Sequence, residues 1–541
     1  MRSSLNAALL AAVLASAAMA SATAAQVLDD TMVPRGRVRL QTNGIFDAWD
    51  RRFGRLPDGT ERMEKLGEDL TDSTSLSLFP GMPTLRNTMR GITGISDYEP
   101  VLGSTDGRIT QDVSRIEVGA HVGVLDWLTV GLVVPWIRTR TAIDVVFFPD
   151  SVNGNLGVNP TITNAAAVNT FLASAGNAGT LAAQYATTAC AAGPSASCSA
   201  AQDLSARATG FHGAMETAYS ATPFFPRVGS VAASALAAEA AALSAALGAA
   251  GLGGLAPLAL GTAVLTSEGF PLLPSQPGSG IGASPLRTRP GIYGAGDIEL
   301  SARVRLLDNL TPGWTPPVRY GGQERIPHPG LGYRVTASFM ARLPTGVPID
   351  PDILLDVGRA DAQLDLEGGV TATLRFGRRV GLTAGGRYAT QGSATVTRRV
   401  AGPEQLMAPL WTRRELTWKP GSYVSAGIAP TLYLADALVL HGEYRFFRKG
   451  RDDFELVSPD GVLDPVVMEI ESGVKLHQVG AGLRYDSVVP WLGGGSGLPM
   501  EVHLRLLHTF DGSGGHAPQV TKVEGGLRLF RRFWGPTREV R

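Results

Sequence analysis

Charged side chains recur at every second position through much of this chain. Arg303 and Arg305 alternate with Ala302, Val304 and Leu306; Glu443 and Arg445 alternate with Tyr444 and Phe446; Arg505 lies between Leu504 and Leu506. Arg375 and Arg387 stand on either side of a Gly377-Arg378 turn. A ladder of guanidiniums and carboxylates lining a pore would set a transverse field and select polar or anionic solutes. The same groups could instead pair between neighbouring strands and fill a narrow interior, because a charge taken out of water needs a partner. Arg303, Arg375, Arg387, Glu443, Arg445 and Arg505, near the middle of their segments, are the candidate constriction residues. Basic residues outnumber acidic ones on this parity, a lean toward anionic or electron-rich solutes.

Other chemistry finds little support. The two cysteines, Cys190 and Cys198, stand in a loop rich in Ala, Gly, Pro and Ser, without His or Cys neighbours at metal-site spacing. In an exported protein such a pair predicts a small disulfide-closed loop and not a zinc site. There is no Gly-x-Ser-x-Gly elbow, no His-Glu-x-x-His and no phosphate loop; Leu492 to Gly497 is glycine-rich but lacks the Lys-Ser/Thr of a phosphate cradle. His441 and His503 have charged neighbours and no serine at a matching level. No catalytic residues, no metal and no cofactor are therefore expected, and the protein is read as a non-enzyme.

The elements that carry the charges read as strands. Asp361, Gln363, Asp365, Glu367, Thr371, Thr373 and Arg375 share one parity; Ala362, Leu364, Leu366, Val370, Ala372, Leu374 and Phe376 share the other. Strict alternation over such a length is a strand with two different faces. Twelve segments of this kind occur, at 35–47, 108–125, 127–147, 292–307, 331–344, 361–377, 379–392, 421–436, 437–449, 473–487, 498–511 and 518–532. Most exceed the usual soluble strand of about 5–6 residues and suit a tilted bilayer crossing, which needs about 9–11. The expected fold is all-β, an antiparallel up-and-down transmembrane barrel of about twelve strands.

Composition agrees. The 541 residues carry 48 basic and 48 acidic side chains, with 44% hydrophobic and 18% charged residues, below the roughly 25% charged of a soluble domain. A mean hydropathy of +0.07 and a pI near 7.1 exclude a polytopic helical bundle and the basic surface of a nucleic-acid binder. The opening of the chain, with Arg2, an apolar run from Leu5 to Met19 and small residues to Ala25, predicts a signal peptide over 1–25, cleaved on export.

Connection lengths orient the barrel, since barrels of this kind alternate short periplasmic turns with long outer loops. Tight turns fall at Leu125-Asp126, 377–379 and Ala435-Asp436, and the proline-rich 308–330 is long for its place. The reading is first barrel strands over 26–147 with a long outer loop at 48–107, an insertion at 148–291, the remaining strands over 292–534 and a tail at 535–541. The insertion is rich in Ala, Ser and Gly, and Ala232 to Leu247 predicts a helix ended by Gly248. It is a lid or plug for the lumen, a solvent-exposed decoration, or a spanning helix. Trp127, Trp136, Tyr444, Phe530, Phe533 and Trp534 are placed for interfacial girdles.

Three short motifs carry a resemblance. Val133-Val134-Pro135-Trp136, Gly294-Ala295-Gly296-Asp297 and Leu343-Pro344-Thr345-Gly346 look like the punctuation of the bacterial outer-membrane family named for the meta-pathway of phenol degradation. The resemblance covers 108–147 and 292–391, and the C-terminal strands more loosely. It implies a transporter-like outer-membrane barrel passing aromatic or apolar compounds, whereas the charged parity argues for polar ones. The insertion 148–291 and the tail from Gly535 to Arg541 depart from the pattern. The combined expectation is a monomeric barrel in the outer membrane of a diderm bacterium, a porin-like channel or transporter. Its partners would be outer-membrane lipid, a small-molecule solute and the barrel-assembly machinery, with no nucleic acid. The alternative is a non-conducting barrel that anchors a surface module for adhesion or assembly.

Overall fold

The computed structural model describes residues 28–55, 60–73, 79, 81–150, 152–310, 318–320, 323–325, 330–402, 405–435, 437–488 and 498–534. The predicted signal peptide, the glycine-rich 492–497 and the tail 535–541 lie outside the described residues.

Twelve antiparallel strands form one closed sheet: β1 (Arg37–Trp49), β2 (Gly103–Leu125), β3 (Leu128–Pro149), β4 (Ile298–Asp308), β5 (Leu331–Leu343), β6 (Asp365–Phe376), β7 (Val380–Gln391), β8 (Tyr423–Ala435), β9 (Leu438–Lys449), β10 (Val474–Asp486), β11 (Met500–Ser513) and β12 (Thr521–Arg532). Each pairs with its neighbours in sequence, and β12 closes on β1 from Arg37 opposite Arg532 to Ala48 opposite Thr521. Closure leaves no free sheet edge.

Alternation sorts the two faces as the sequence predicts. Leu40, Val118, Leu132, Leu300, Phe339, Leu366, Val370, Leu504 and Leu506 point outward and stay exposed, while Arg39, Glu117, Arg342, Glu443, Arg445 and Glu501 point inward and are buried. An apolar belt of this extent is costly in water.

Three sequence expectations change. The sixth strand opens at Asp365 and not at 361, because Ala362 has φ 64°, which breaks the extended run; Asp361 and Gln363 end a loop, although both are buried. The fourth strand opens at Ile298, with Gly294–Ala295 a separate bridge to Trp136 and Ile137. Phe530 is no girdle residue: it is 2% exposed and packs inward with Val33 and Val488, whereas Trp127, Trp136, Tyr444, Phe533 and Trp534 face out. Within 308–330, Val318–Tyr320 pairs with Gln323–Arg325 as a small hairpin.

The insertion folds above the end of the barrel that carries the long loops, the outer end of the orientation expected from the sequence. Helices α2 (Ala165–Ala189) and α3 (Ala196–Ala221) form an antiparallel hairpin, and α1 (Met82–Thr93), from the loop after β1, and α4 (Val231–Ala249) pack on α3. Side-chain oxygens of Asn164, Ser195 and Ser230 cap α2, α3 and α4. Phe171, Phe211, Tyr219, Phe224, Phe225 and Leu243 share one core with Ile109, Ile143 and Phe147 at the outer ends of β2 and β3. Although α4 is long and apolar enough to cross a membrane, it buries Leu236, Leu243 and Leu247 in this cap and ion-pairs Glu239 with Arg207 of α3 at 2.9 Å.

Candidate functional site: the barrel lumen and its two closures

The inward face is filled with paired charge. Glu443 takes Arg445 of its own strand and Arg505 of β11, and Arg505 also reaches Glu524 of β12, which in turn meets His503 at 3.2 Å. A second group joins Arg387 to Glu367 at 2.6 Å, with the Tyr423 hydroxyl donating to the same carboxylate at 2.8 Å. Arg342 reaches Asp365 at 2.6 Å and Glu299 at 3.7 Å. Asn43 donates to Glu117, which also meets Arg115 at 3.4 Å. Such pairing offsets the desolvation of charges this deeply buried. Small inward residues leave the room: a Cβ on Gly131 would lie 2.0 Å from Nδ1 of His121.

Of the six constriction candidates, Glu443, Arg445 and Arg505 meet directly. Arg303 and Arg387 line one small lumenal cavity together with His121, Thr129, Ser338, Met340 and Glu367. Arg375 belongs to neither group: it lies at the turn end of β6, donates to the Arg378 carbonyl at 3.0 Å and stacks over the Tyr433 ring at 4.0 Å. Position near the end of a strand, where the chain leaves the barrel, explains its separation. Cys190 and Cys198 are joined by a disulfide at the α2–α3 tip, with Cα atoms 4.7 Å apart, away from the lumen.

Two segments that are not strands close the lumen, and neither was foreseen. At the end where β1 begins and β12 ends, residues 28–34 run inside the barrel. Asp29 ion-pairs with Arg303 of β4 at 3.4 Å and Arg528 of β12 at 3.1 Å, and Asp30 with Arg334 of β5 at 3.4 Å. The Thr31 carbonyl accepts from Arg303 at 2.6 Å, and the Val33 N–H donates to the Thr129 hydroxyl at 3.0 Å. The adjacent acids Asp29-Asp30, just ahead of an arginine-bearing barrel, were the available cue.

At the outer end, the loop 344–364 folds back into the mouth. Val357 is 1% exposed against Trp49, Val113 and Ile137, and the Leu355 carbonyl accepts from Thr141 at 3.1 Å. Arg398 and Arg399, in the hairpin above β7, hold this loop: Arg398 donates to the Ile349 carbonyl, and Arg399 to the carbonyls of Pro351, Ile281, Gly282 and Ala408 and to Asp352. The three sequence motifs meet at the loop's base. Asp297 accepts from the N–H groups of Thr345 and Gly346, the Thr345 hydroxyl donates to the Gly296 carbonyl, and the Gly296 N–H donates to the Pro135 carbonyl.

No protein-family model and no curated protein matches the chain, so membership of the phenol meta-pathway family is not confirmed. Solved structures that match include an outer membrane channel from Pseudomonas putida F1, at 6% identity and TM-score 0.39, covering 93% of this chain and 98% of that one. The translocator domain of autotransporter NalP from Neisseria meningitidis matches at 10% identity and TM-score 0.30, covering 95% and 96%. The Pseudomonas putida toluene transporter TodX matches at 11% identity and TM-score 0.24, covering 93% and 90%. At these scores nothing about solute or mechanism carries over, and the fold stands on the chain's own closed sheet.

Proposed function

We propose that the protein is an outer-membrane channel or transporter that passes small molecules passively through its charged lumen. The observation that carries this reading is the closed twelve-strand meander with an apolar outer belt and a charged interior, stopped at each end by a segment outside the wall. Long loops and the helical cap face outward, the end where β1 begins and β12 ends faces the periplasm, lipid covers the belt, and the chain acts as a monomer delivered by its signal peptide to the barrel-assembly machinery.

A second reading is a non-conducting barrel that anchors the cap for adhesion or assembly. The cap's own aromatic core and the pairing of the lumenal charges favour it. Planar-bilayer recording separates the two, using the refolded chain, a deletion of 28–34 and a deletion of 148–291. Current steps that grow on deletion of 28–34 support the channel. Silence in all three, with the heat-dependent gel shift of a folded barrel retained, sinks it.

A further inference from the structure

The wall around residues 28–34 is not electrically complete by itself. Arg528 has a carboxylate on a neighbouring strand, Glu501 at 2.9 Å, and Arg334 has Asp308 at 3.1 Å. Arg303 is different: among the described residues its ion pair is with Asp29 of the inserted segment, and no strand carboxylate lies within ion-pair distance. Arg39 is 1% exposed, and its Nε and Nη1 have no hydrogen-bond partner. Its charge acts on Asp29 together with those of Arg303 and Arg528. When the segment leaves, Arg303 loses its ion-pair partner and Arg39 loses the stronger of the two carboxylates that act on it, keeping only Glu501 of β11, which is costly unless another anion arrives.

What the segment presents is also specific. Two carboxylates on adjacent residues diverge, Asp29 to Arg303 and Arg528 and Asp30 to Arg334, and the Thr31 carbonyl adds one more acceptor to Arg303. Arginine's fork suits carboxylates in this geometry.

We propose that Arg39, Arg303, Arg334 and Arg528 form a binding site for a small dicarboxylate, which the chain's own Asp29 and Asp30 occupy in the closed protein. This inference names the solute class for the channel reading and rests on that reading only for the claim that the bound dicarboxylate is a transported solute. Opening then becomes exchange of one pair of carboxylates for another. The tethered pair competes at an effective concentration on the order of millimolar or above, so the closed state persists until solute is plentiful.

The test titrates detergent-solubilised protein with succinate and, separately, with uncharged succinamide, by calorimetry. The variant Asp29→Asn/Asp30→Asn should bind succinate at least tenfold more tightly than the unaltered chain, and adding Arg303→Gln should remove that gain. Succinamide should bind neither. Equal affinity of variant and unaltered chain for succinate, or equal binding of the two ligands, overturns the site. In planar bilayers the same double variant should conduct, with a reversal potential showing preference for chloride over potassium and a current reduced by succinate. Conduction without anion preference overturns the site but leaves a channel. Silence removes the channel, and calorimetry still decides the site. A retained heat-dependent gel shift in each variant excludes misfolding.

Discussion

Asp297, the residue before β4, holds Gly346 after β5 through a 2.8 Å hydrogen bond from the Gly346 N–H, with the Thr345 N–H at 3.0 Å on the same oxygen. Two neighbouring strands are thereby tied at the point where the loop 344–364 leaves the wall. A Cβ on Gly346 would lie 2.4 Å from that of Ala360 and 3.1 Å from the Gly296 Cα. Gly346→Ala should therefore push the base of the loop outward at a cost of about 1–3 kcal/mol. Asp297→Ala, which leaves two N–H groups without their acceptor, should cost a similar amount. Amide exchange over 347–360 should rise in both variants, while exchange in β1 and β12 stays unchanged.

The same loop responds to pH. Burial pushes the Asp361 carboxyl up to about 6, more than Arg342 offsets, with Asp297 adding like-charge repulsion. A raised carboxyl binds protons in the seated loop that it would release in an open one, so the closed mouth loses stability as pH rises from about 4 to about 6 and changes little above. The loss is about 1–3 kcal/mol. Amide exchange of 347–360, corrected for its intrinsic pH dependence, should be slower at pH 4.5 than at pH 7.5. Asp361→Asn should shrink the difference, and Asp297, whose carboxyl burial also raises at the base of the loop, carries what is left; a difference undiminished in Asp361→Asn would place its origin elsewhere.

Much of the wall is legible in the sequence because alternation is local. Each strand announces its two faces, and even the inward place of Phe530 follows from its parity with Lys522, Glu524 and Arg528, a cue that the terminal aromatic cluster obscured. Which charges pair is not local. Glu443 meets Arg505 only because β9, β10 and β11 adopt particular registers, and no spacing within one strand encodes that. The two closures are not announced in this way: residues 28–34 stand ahead of the first alternating strand, 345–360 read as a connection and 361–364 as the opening of a strand, until the three-dimensional wall shows arginines waiting for carboxylates and an apolar mouth waiting for Val357.

The disulfide should matter to the cap and not to the barrel. Cys190 and Cys198 are eight residues apart and staple the far tip of the α2–α3 hairpin, whose other end is fixed by Asn159 donating to the Tyr219 and Thr222 carbonyls. A loop of that length contributes about 2–3 kcal/mol by restricting the unfolded chain. Cys190→Ser/Cys198→Ser should speed proteolysis near 186–202 and leave the heat-dependent gel shift in place. Loss of that shift would show that the cap is required for the barrel to close.

Arg399 offers the sharpest separation between holding the mouth and building the wall. Its guanidinium joins three stretches of chain, 281–282, 351–352 and 408, through carbonyl oxygens and the Asp352 carboxylate, and Arg413 shares that carboxylate at 2.8 Å. Lysine keeps the charge but is a point donor that cannot span three stretches in one plane. Arg399→Lys should therefore loosen the mouth nearly as much as Arg399→Met, by about 2–4 kcal/mol. Arg413→Lys, at an exposed pair, should cost less than about 1 kcal/mol. If the inner segment seals the barrel and the mouth loop only narrows it, Arg399→Met alone should stay silent in planar bilayers. Combined with deletion of 28–34, it should raise conductance above that of the deletion alone. Equal conductance in the two deletion proteins would show that the loop 344–364 does not limit flow.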